Sequence, residues 1–284
     1  MSVDDSSLAI VIVSYNVRDE IDACLRSLVG HTAPFDTMIT VVDNASTDDT
    51  VAMVRRNWPQ VEVIEAGANL GFARANNLGI RATRSEFVLL LNPDTIVPPG
   101  ALPSLIRGLA AHPEAAAAGP RLVDAAGFPE LSFGWTLGPW GELRQKLIGD
   151  LYRRRVRAVV RRVDGWSRLA GEREWVSGAC LVARRADLEA VGLLDERFFM
   201  YTEDVDLCVQ LRKRGRSILF IPQSEVLHLR GRSASRNPHT ERLRRQSQMA
   251  YYQKHHPQWV ALLKMYLRVT GKDRPTGQPA TKSR

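Results

Sequence analysis

The sequence of 284 residues has no apolar run near the roughly 18 residues that a bilayer-spanning helix needs. Its longest, Leu8-Ala9-Ile10-Val11-Ile12-Val13, follows Asp4 and Asp5 rather than the basic segment that opens a secretory signal. A cytoplasmic protein is the expectation. Cysteine is scarce as well: Cys24, Cys180 and Cys208 are odd in number and widely spaced. They fit neither a disulfide framework nor a CxxC metal site, and read instead as small buried hydrophobes. Neither GxGxxG nor GxxxxGK(S/T) occurs, so neither a dinucleotide-binding fold nor an NTPase phosphate loop is supported. There is no internal repeat and no long low-complexity tract.

What is present is an ordinary globular composition, 44% hydrophobic and 25% charged, in a chain long enough for a sizeable core. The net charge of +8 is unevenly spread. Arg153, Arg154, Arg155, Arg157, Arg161 and Arg162 crowd one stretch, and a second basic stretch runs from Arg230 to Arg245. Such patches suit nucleic acid, an anionic membrane surface or a phosphorylated substrate. Aromatic residues do not interleave with the arginines as in a base-stacking platform. Composition alone leaves the partner open.

Residues 8–14 form a continuous apolar run, the pattern of a strand buried on both faces. Helical spacing follows over 19–29, through Ile21, Leu25 and Leu28. Strands are expected at 38–42, 61–64 and 87–91, and a helix at 73–83. Ser46 reads as a helix N-cap, with Asp49 three residues on. This β-α-β-α order predicts a parallel sheet with right-handed crossovers, whose ligands bind beyond the carboxyl ends of the strands. Ser14-Tyr15-Asn16, Asp43-Asn44 and Asn92-Pro93-Asp94 all fall at such ends and should converge on one crevice. The second half is less regular. It suggests a hairpin or turn-rich segment at 121–131 and a basic amphipathic helix, whole or broken, at 142–163. Further on come a strand containing Gly178 at 175–182 and a helix at 203–214 closed by Gly215. Strands are expected at 217–221 and 225–229, and a helix at 237–255. From Gly271 the composition is that of a disordered tail.

Four clusters carry chemistry. Asn92-Pro93-Asp94 could bind a hard divalent cation that neutralises a departing diphosphate, but the residues alone favour a simple turn. Glu203-Asp204-Val205-Asp206 opens a predicted helix, and acids in a first turn favour the helix dipole. The apolar run Arg197-Phe198-Phe199-Met200-Tyr201 before them could hold one carboxylate at a pocket wall, as a general base for an acceptor hydroxyl. His228 in its apolar strand reads more readily as a core residue than as a ligand for a manganese-like cation. Gly71, within Asn69-Leu70-Gly71-Phe72, permits an unusual turn before a helix, and the amides there could face phosphate.

Seven motifs in this order resemble glycosyltransferase family 2. They are Val13-Ser14-Tyr15-Asn16, Val41-Val42-Asp43-Asn44-Ala45-Ser46-Thr47-Asp48, Asn69-Leu70-Gly71-Phe72, Leu90-Leu91-Asn92-Pro93-Asp94, Trp175-Val176-Ser177-Gly178-Ala179-Cys180, Tyr201-Thr202-Glu203-Asp204-Val205-Asp206-Leu207-Cys208, and His228. The resemblance spans about residues 8 to 255 and is nearest to bacterial rhamnosyltransferases of cell-wall or surface polysaccharide. It implies an α/β fold of the GT-A type: a Rossmann-like, mostly parallel sheet flanked by helices, with a C-terminal helical extension. The implied bounds are 1–235 for the transferase domain, with a nucleotide-binding half at 1–120 and an acceptor half at 121–235. The extension takes 236–270 and a disordered tail 271–284.

Roles follow from the same resemblance. Ser14, Tyr15 and Asn16 would line the nucleotide pocket, Asp43 would bond the base or ribose, and Asn69 and Gly71 would border the nucleotide. Asp94 holds the last place of the family's DxD motif and would bind Mn2+ or Mg2+ together with His228. Asn92 holds the first place, so one charged ligand fewer is present. Asp204 would be the base of an inverting transfer, with Glu203 supporting it or touching the acceptor. The implied donor is dTDP-rhamnose, with a UDP-hexose as the other choice, and the acceptor is a glycan or a polyprenyl-diphosphate-linked sugar. Such an acceptor would draw the protein to the inner face of the cell membrane. The arginine-rich helix could dock there through Leu147, Ile148, Leu151, Val156, Val159 and Val160. Three other classes compete. The acids count against a non-catalytic nucleotide-sugar binder, the glycine-free 14–19 segment against a nucleotidyltransferase, and the lack of any known motif against nucleic acid as partner.

Overall fold

In the computed structural model, which describes residues 3–32, 34–134, 138–229 and 238–270, the first apolar run becomes β1 (Ser7–Ser14). Leu8, Ile10 and Ile12 face one hydrophobic cluster and Val11 the other, so both faces of the strand are buried. That is why the run is continuous rather than alternating. The first cluster receives α1 (Arg18–Leu28), α2 (Thr50–Asn57) and α4 (Ala101–Ala110). The second receives α3 (Gly71–Ala82), α7 (Arg185–Ala190) and α8 (Glu203–Lys213). It also takes Tyr251 and Tyr252 of α9 (Pro238–His255) and Leu263 and Leu267 of α10 (Val260–Val269). The C-terminal helices therefore share the core of the sheet.

Parallel pairing joins β3 (Glu62–Glu65), β2 (Asp36–Asp43), β1 and β4 (Phe87–Leu91) in that order. Beyond β4 the sheet is mixed. β10 (Cys180–Arg184) runs antiparallel to both β4 and β6 (Ala115–Val123), while β11 (Ser217–His228) is parallel to β6. β5 (Thr95–Ile96) and β8 (Gly171–Glu172) pair with β11, giving nine strands among the described residues. A separate pair joins β7 (Phe133–Gly134) to β9 (Trp175–Val176). α5 (Pro139–Arg153) and α6 (Arg157–Trp166) complete the chain.

Several expectations are corrected. Ser46 does not cap a helix: α2 begins at Thr50, where Asp48 Oδ1 takes the Thr50 amide and hydroxyl at 3.1 and 2.5 Å, and Ser46 serves Asp43 instead. The strand expected at 175–182 is interrupted at 177–179. Those at 217–221 and 225–229 are one strand with a register shift between Ile221 and Glu225. The basic helix is two helices, broken where Arg155 adopts φ +56°. Of its six nominated apolar contacts, only Leu147 and Val156 are exposed; Ile148, Leu151, Val159 and Val160 are half-buried. The turn at 121–131 forms as expected, with Asp124 Oδ1 accepting the Ala126 and Phe128 amides at 2.9 Å each. All three cysteines are free and buried. The start of the second basic stretch (230–237) and the tail from 271 lie outside the described residues. Among the described residues no helix is long and apolar enough to cross a membrane.

Candidate active site

The carboxyl ends of β1 and β2 meet in register, Ser14 opposite Asp43. Both are buried, and the Ser14 hydroxyl donates to Asp43 Oδ1 at 2.9 Å. Ser46 adds its hydroxyl to Oδ1 at 2.5 Å and its amide to Oδ2 at 2.8 Å. Three donors thus converge on one buried carboxylate and fix its orientation. Asn16 sits at φ +53°, its amide donating to Ser46 Oγ (2.9 Å) and its Oδ1 accepting the Thr47 amide (2.7 Å). Tyr15 between them is exposed. The loop is thus braced by these bonds, and it presents an aromatic ring to solvent beside the Asp43 side chain.

From there the chain of contacts runs to the third motif. Asn44 donates from Nδ2 to the Gly71 carbonyl at 3.1 Å and accepts the Leu70 amide at 3.2 Å. Asn69 Oδ1 takes the Gly71 amide at 3.0 Å, and the Phe72 amide donates to the Phe199 carbonyl at 2.6 Å. The amides of 70, 71 and 72 are therefore spent on protein partners. This corrects the expectation that they face phosphate: they brace the loop. Gly71 is required here. It holds φ +78°, and a Cβ would lie 2.3 Å from the Phe199 carbonyl oxygen.

Phe199 leads to the acids. Tyr201 and Thr202 hold φ +71° and +75°, strained values that cluster at functional sites. Glu203 is buried, and its Oε2 finds no hydrogen-bond donor. Burial, aided by the Asp204 charge, pushes its carboxyl up to about 8. Asp204 is also raised by burial, but the Gly178 amide on Oδ2 (2.9 Å) and the Val205 amide on Oδ1 (2.8 Å) oppose that shift. Burial therefore favours the protonated form of Glu203, while the two amides on Asp204 favour its ionised form. The break in the 175–182 strand is what frees the Gly178 amide. One residue on, the Ala179 carbonyl accepts the Asn92 amide at 2.9 Å, which ties the Asp204 carboxylate to the end of β4.

At that end, His228 Nε2 lies 3.3 Å from Asp94 Oδ1 and 3.5 Å from Asn92 Nδ2. Its Nδ1 is 3.0 Å from Glu130 Oε2. Burial alone would lower the imidazole, but Asp94 and Glu130 outweigh it and lift it to about 9. Asp94 is itself buried. A hard oxygen and an imidazole nitrogen, the latter steered from behind by a carboxylate, fit a divalent cation. Among the described residues no group of three or more His, Cys, Asp or Glu forms a complete cage.

The nominated residues thus form one connected path, from Ser14 and Asp43 through Gly71 and Phe199 to Asp204, Asn92, Asp94 and His228. Sequence reasoning missed Glu130, hidden in a turn with no acidic neighbour to mark it. It also gave Gly178 no individual role, and missed the buried network behind α8. There Asp206 accepts from Lys254 Nζ (2.8 Å) and pairs with His255 Nε2 (2.6 Å) of α9. Lys254 also reaches Asp195 at 2.7 Å, so the C-terminal helix buttresses the acids from behind. No short-range pattern in the sequence links Lys254 and His255 to Asp195 and Asp206.

Comparison with known proteins bears on the family and the fold. The family model for glycosyl transferase family 2 matches residues 9–163. The N-acetylglucosaminyl-diphospho-decaprenol L-rhamnosyltransferase of Mycobacterium tuberculosis is 31% identical over 291 residues, covering 92% of this chain and 89% of the relative. A mannosyltransferase from Pyrobaculum calidifontis, solved with GDP-Man and Mn2+, superposes with TM-score 0.62 at 19% identity, over 92% of this chain and 68% of that one. GalNAc-T7 with UDP, GalNAc and Mn2+ gives 0.60 at 15% identity, over 88% of this chain and 50% of that one. These likenesses show the GT-A fold.

Proposed function

The chain belongs to glycosyl transferase family 2, and from that membership we propose that it transfers L-rhamnose from dTDP-rhamnose to a hydroxyl of a polyprenyl-diphosphate-linked N-acetylglucosamine. The setting is cell-wall or surface polysaccharide synthesis at the inner face of the membrane. The specificity named for the M. tuberculosis relative supports the sugar and the acceptor class. Residues 1–120 serve as the donor half and 121–235 as the acceptor half, with 236–270 as their buttress.

The observation that carries the chemistry is the Asp204 carboxylate, fixed by two backbone amides and linked through Gly178-Ala179 to Asn92. Asp204 takes the proton of the acceptor hydroxyl as that oxygen attacks the anomeric carbon. The bond to the diphosphate breaks on the opposite face, so the configuration inverts. Neutral Glu203 leaves the charge concentrated on its neighbour. Asp43 and the Ser14–Asn16 loop hold the nucleoside. Asp94 and His228 would hold Mn2+ or Mg2+, which supplies charge stabilisation to the departing diphosphate.

The test is transfer to a short-chain N-acetylglucosaminyl diphosphate lipid, comparing dTDP-rhamnose with UDP-glucose and UDP-galactose, with and without Mn2+. Rhamnosyl product of inverted configuration, dependent on the cation, is expected. Turnover with a UDP-hexose alone would reassign the donor. Nucleotide-sugar binding without any turnover would make the protein a non-catalytic binder.

A further inference from the structure

α5 and α10 approach each other where the Lys146 ammonium lies 3.4 Å from the Tyr266 hydroxyl. α10 turns Leu263 and Leu267 into the core and leaves Leu262, Met265, Tyr266 and Val269 exposed. Their spacing of three and four puts them on one helix face. α5 repeats the arrangement: Trp140, Leu143 and Leu147 share a face and are 77%, 59% and 58% exposed. Single apolar side chains scattered over a surface need no explanation, but two stripes on adjacent helices form a patch of the kind that marks a docking site.

The charge beside the patch is mainly basic: α5 carries Arg144, Lys146 and Arg153 against Glu142 and Asp150, and Asp150 pairs with Arg153. α10 carries Lys264 and Arg268 and no acid. Just past α5, Arg154, Arg155, Arg157 and Arg161 are all exposed, and the last three line an open hollow with Val160. Tryptophan and tyrosine with an apolar ring and a polar tip are the side chains that settle at headgroup level. A protein partner would need matching acids beside an apolar groove. An anionic bilayer supplies a continuous phosphate layer over hydrocarbon, the same order as arginines beside apolar stripes.

We propose that the exposed face of α5 and α10 is a docking surface for an anionic lipid bilayer. The apolar stripes enter the headgroup boundary and the arginines meet the lipid phosphates. In purpose it rests on the polyprenyl acceptor proposed above, since a lipid-anchored substrate is reached only at a membrane surface.

The test is flotation of the full chain with vesicles of phosphatidylglycerol and phosphatidylcholine, against phosphatidylcholine alone. Flotation with the anionic vesicles at low salt, weakened by added salt, is expected. The double variant Leu147→Glu, Met265→Glu should float about tenfold less or worse. Its melting temperature and its transfer to a water-soluble acceptor should match the parent, because both side chains are exposed. Should that pair melt lower, Val269→Glu at an 82% exposed position serves the same test. Absence of flotation by the parent at low salt, or equal flotation by parent and variants, overturns the proposal. A parent dimer that the double variant dissolves also overturns it, because a second copy then covers the face. Flotation lost in the variants, with no soluble-acceptor transfer by the parent, refutes the acceptor reading and leaves the docking surface standing.

Discussion

Gly71→Ala is the perturbation whose consequence is most fully determined by the geometry. The new methyl would stand 2.3 Å from the Phe199 carbonyl oxygen and 2.7 Å from Phe199 Cδ2. Real Cβ contacts do not fall below 3.0 Å, so the carbonyl must retreat by 3.0 − 2.3 = 0.7 Å or more. That retreat stretches the Phe72 amide bond to the same oxygen, now 2.6 Å. A left-handed backbone at alanine costs about 1–2 kcal/mol. The weakened hydrogen bond costs about 1 kcal/mol more. The sum, roughly 2–3 kcal/mol, lowers the melting temperature by roughly 4–12 °C in a chain of this size. Gly67 supplies the control. It holds φ +72°, and a Cβ added there would meet nothing within 4 Å, so Gly67→Ala bears only the backbone cost. Activity separates the two further. Phe199 lies four residues before Glu203, and a displacement approaching 1 Å near reacting groups can cost about 100-fold in rate. Differential scanning fluorimetry and initial rates on both variants are the assay. Equal melting temperatures and equal turnover for Gly71→Ala and Gly67→Ala would refute the idea that this loop positions the acids.

Glu203→Gln tests the raised acid. Its carboxyl titrates near 4.5 in the unfolded chain and at about 8 when folded, so the folded protein keeps a proton that the unfolded chain has released, and stability falls as pH rises from 4.5 to 8. The amide removes that slope: the variant should melt higher than the parent at pH 8.5 and turn over within a fewfold of the parent at neutral pH, because it too is uncharged, and an unchanged slope would count against a buried neutral Glu203. Glu130→Gln should weaken Mn2+ binding by about 10–100-fold in calorimetry with nucleotide present, because the imidazole loses its orienting carboxylate; parent-like affinity would remove Glu130 from the site. Lys254→Met leaves Asp206 buried with less compensation, at a cost of about 3 kcal/mol in urea unfolding. A loss under 1 kcal/mol would show that α9 does not buttress the acids.

Much of the fold is legible in the sequence because hydrophobic continuity and polar strand ends are local signals. β1 and β4 stand out as unbroken apolar runs, and the polar residues that follow them, Asn16 after β1 and Asn92 and Asp94 after β4, belong to the candidate site. The mixed half of the sheet is harder. β6, Ala115–Val123, begins with four alanines, and residues that favour helices carry no strand signal there; packing between β10 and β11 decides the matter. Gly178 reads as a weak point in a strand, whereas the break is what exposes the amide that Asp204 accepts. Glu130 reaches His228 across 98 positions, and no short-range pattern announces such a contact. The amphipathic stretch at 142–163 is visible, but which of its apolar residues face the core depends on the break at Arg155.

In the proposed transfer Asp204 is the base, acting beside a donor held by Asp43 and the Ser14–Asn16 loop. Single-turnover transfer by Asp204→Asn, with donor affinity measured alongside, tests it most directly. The prediction is a rate reduced by about 100-fold or more at unchanged nucleotide-sugar affinity. Transfer within a fewfold of the parent would contradict it and require the proton to leave by another group.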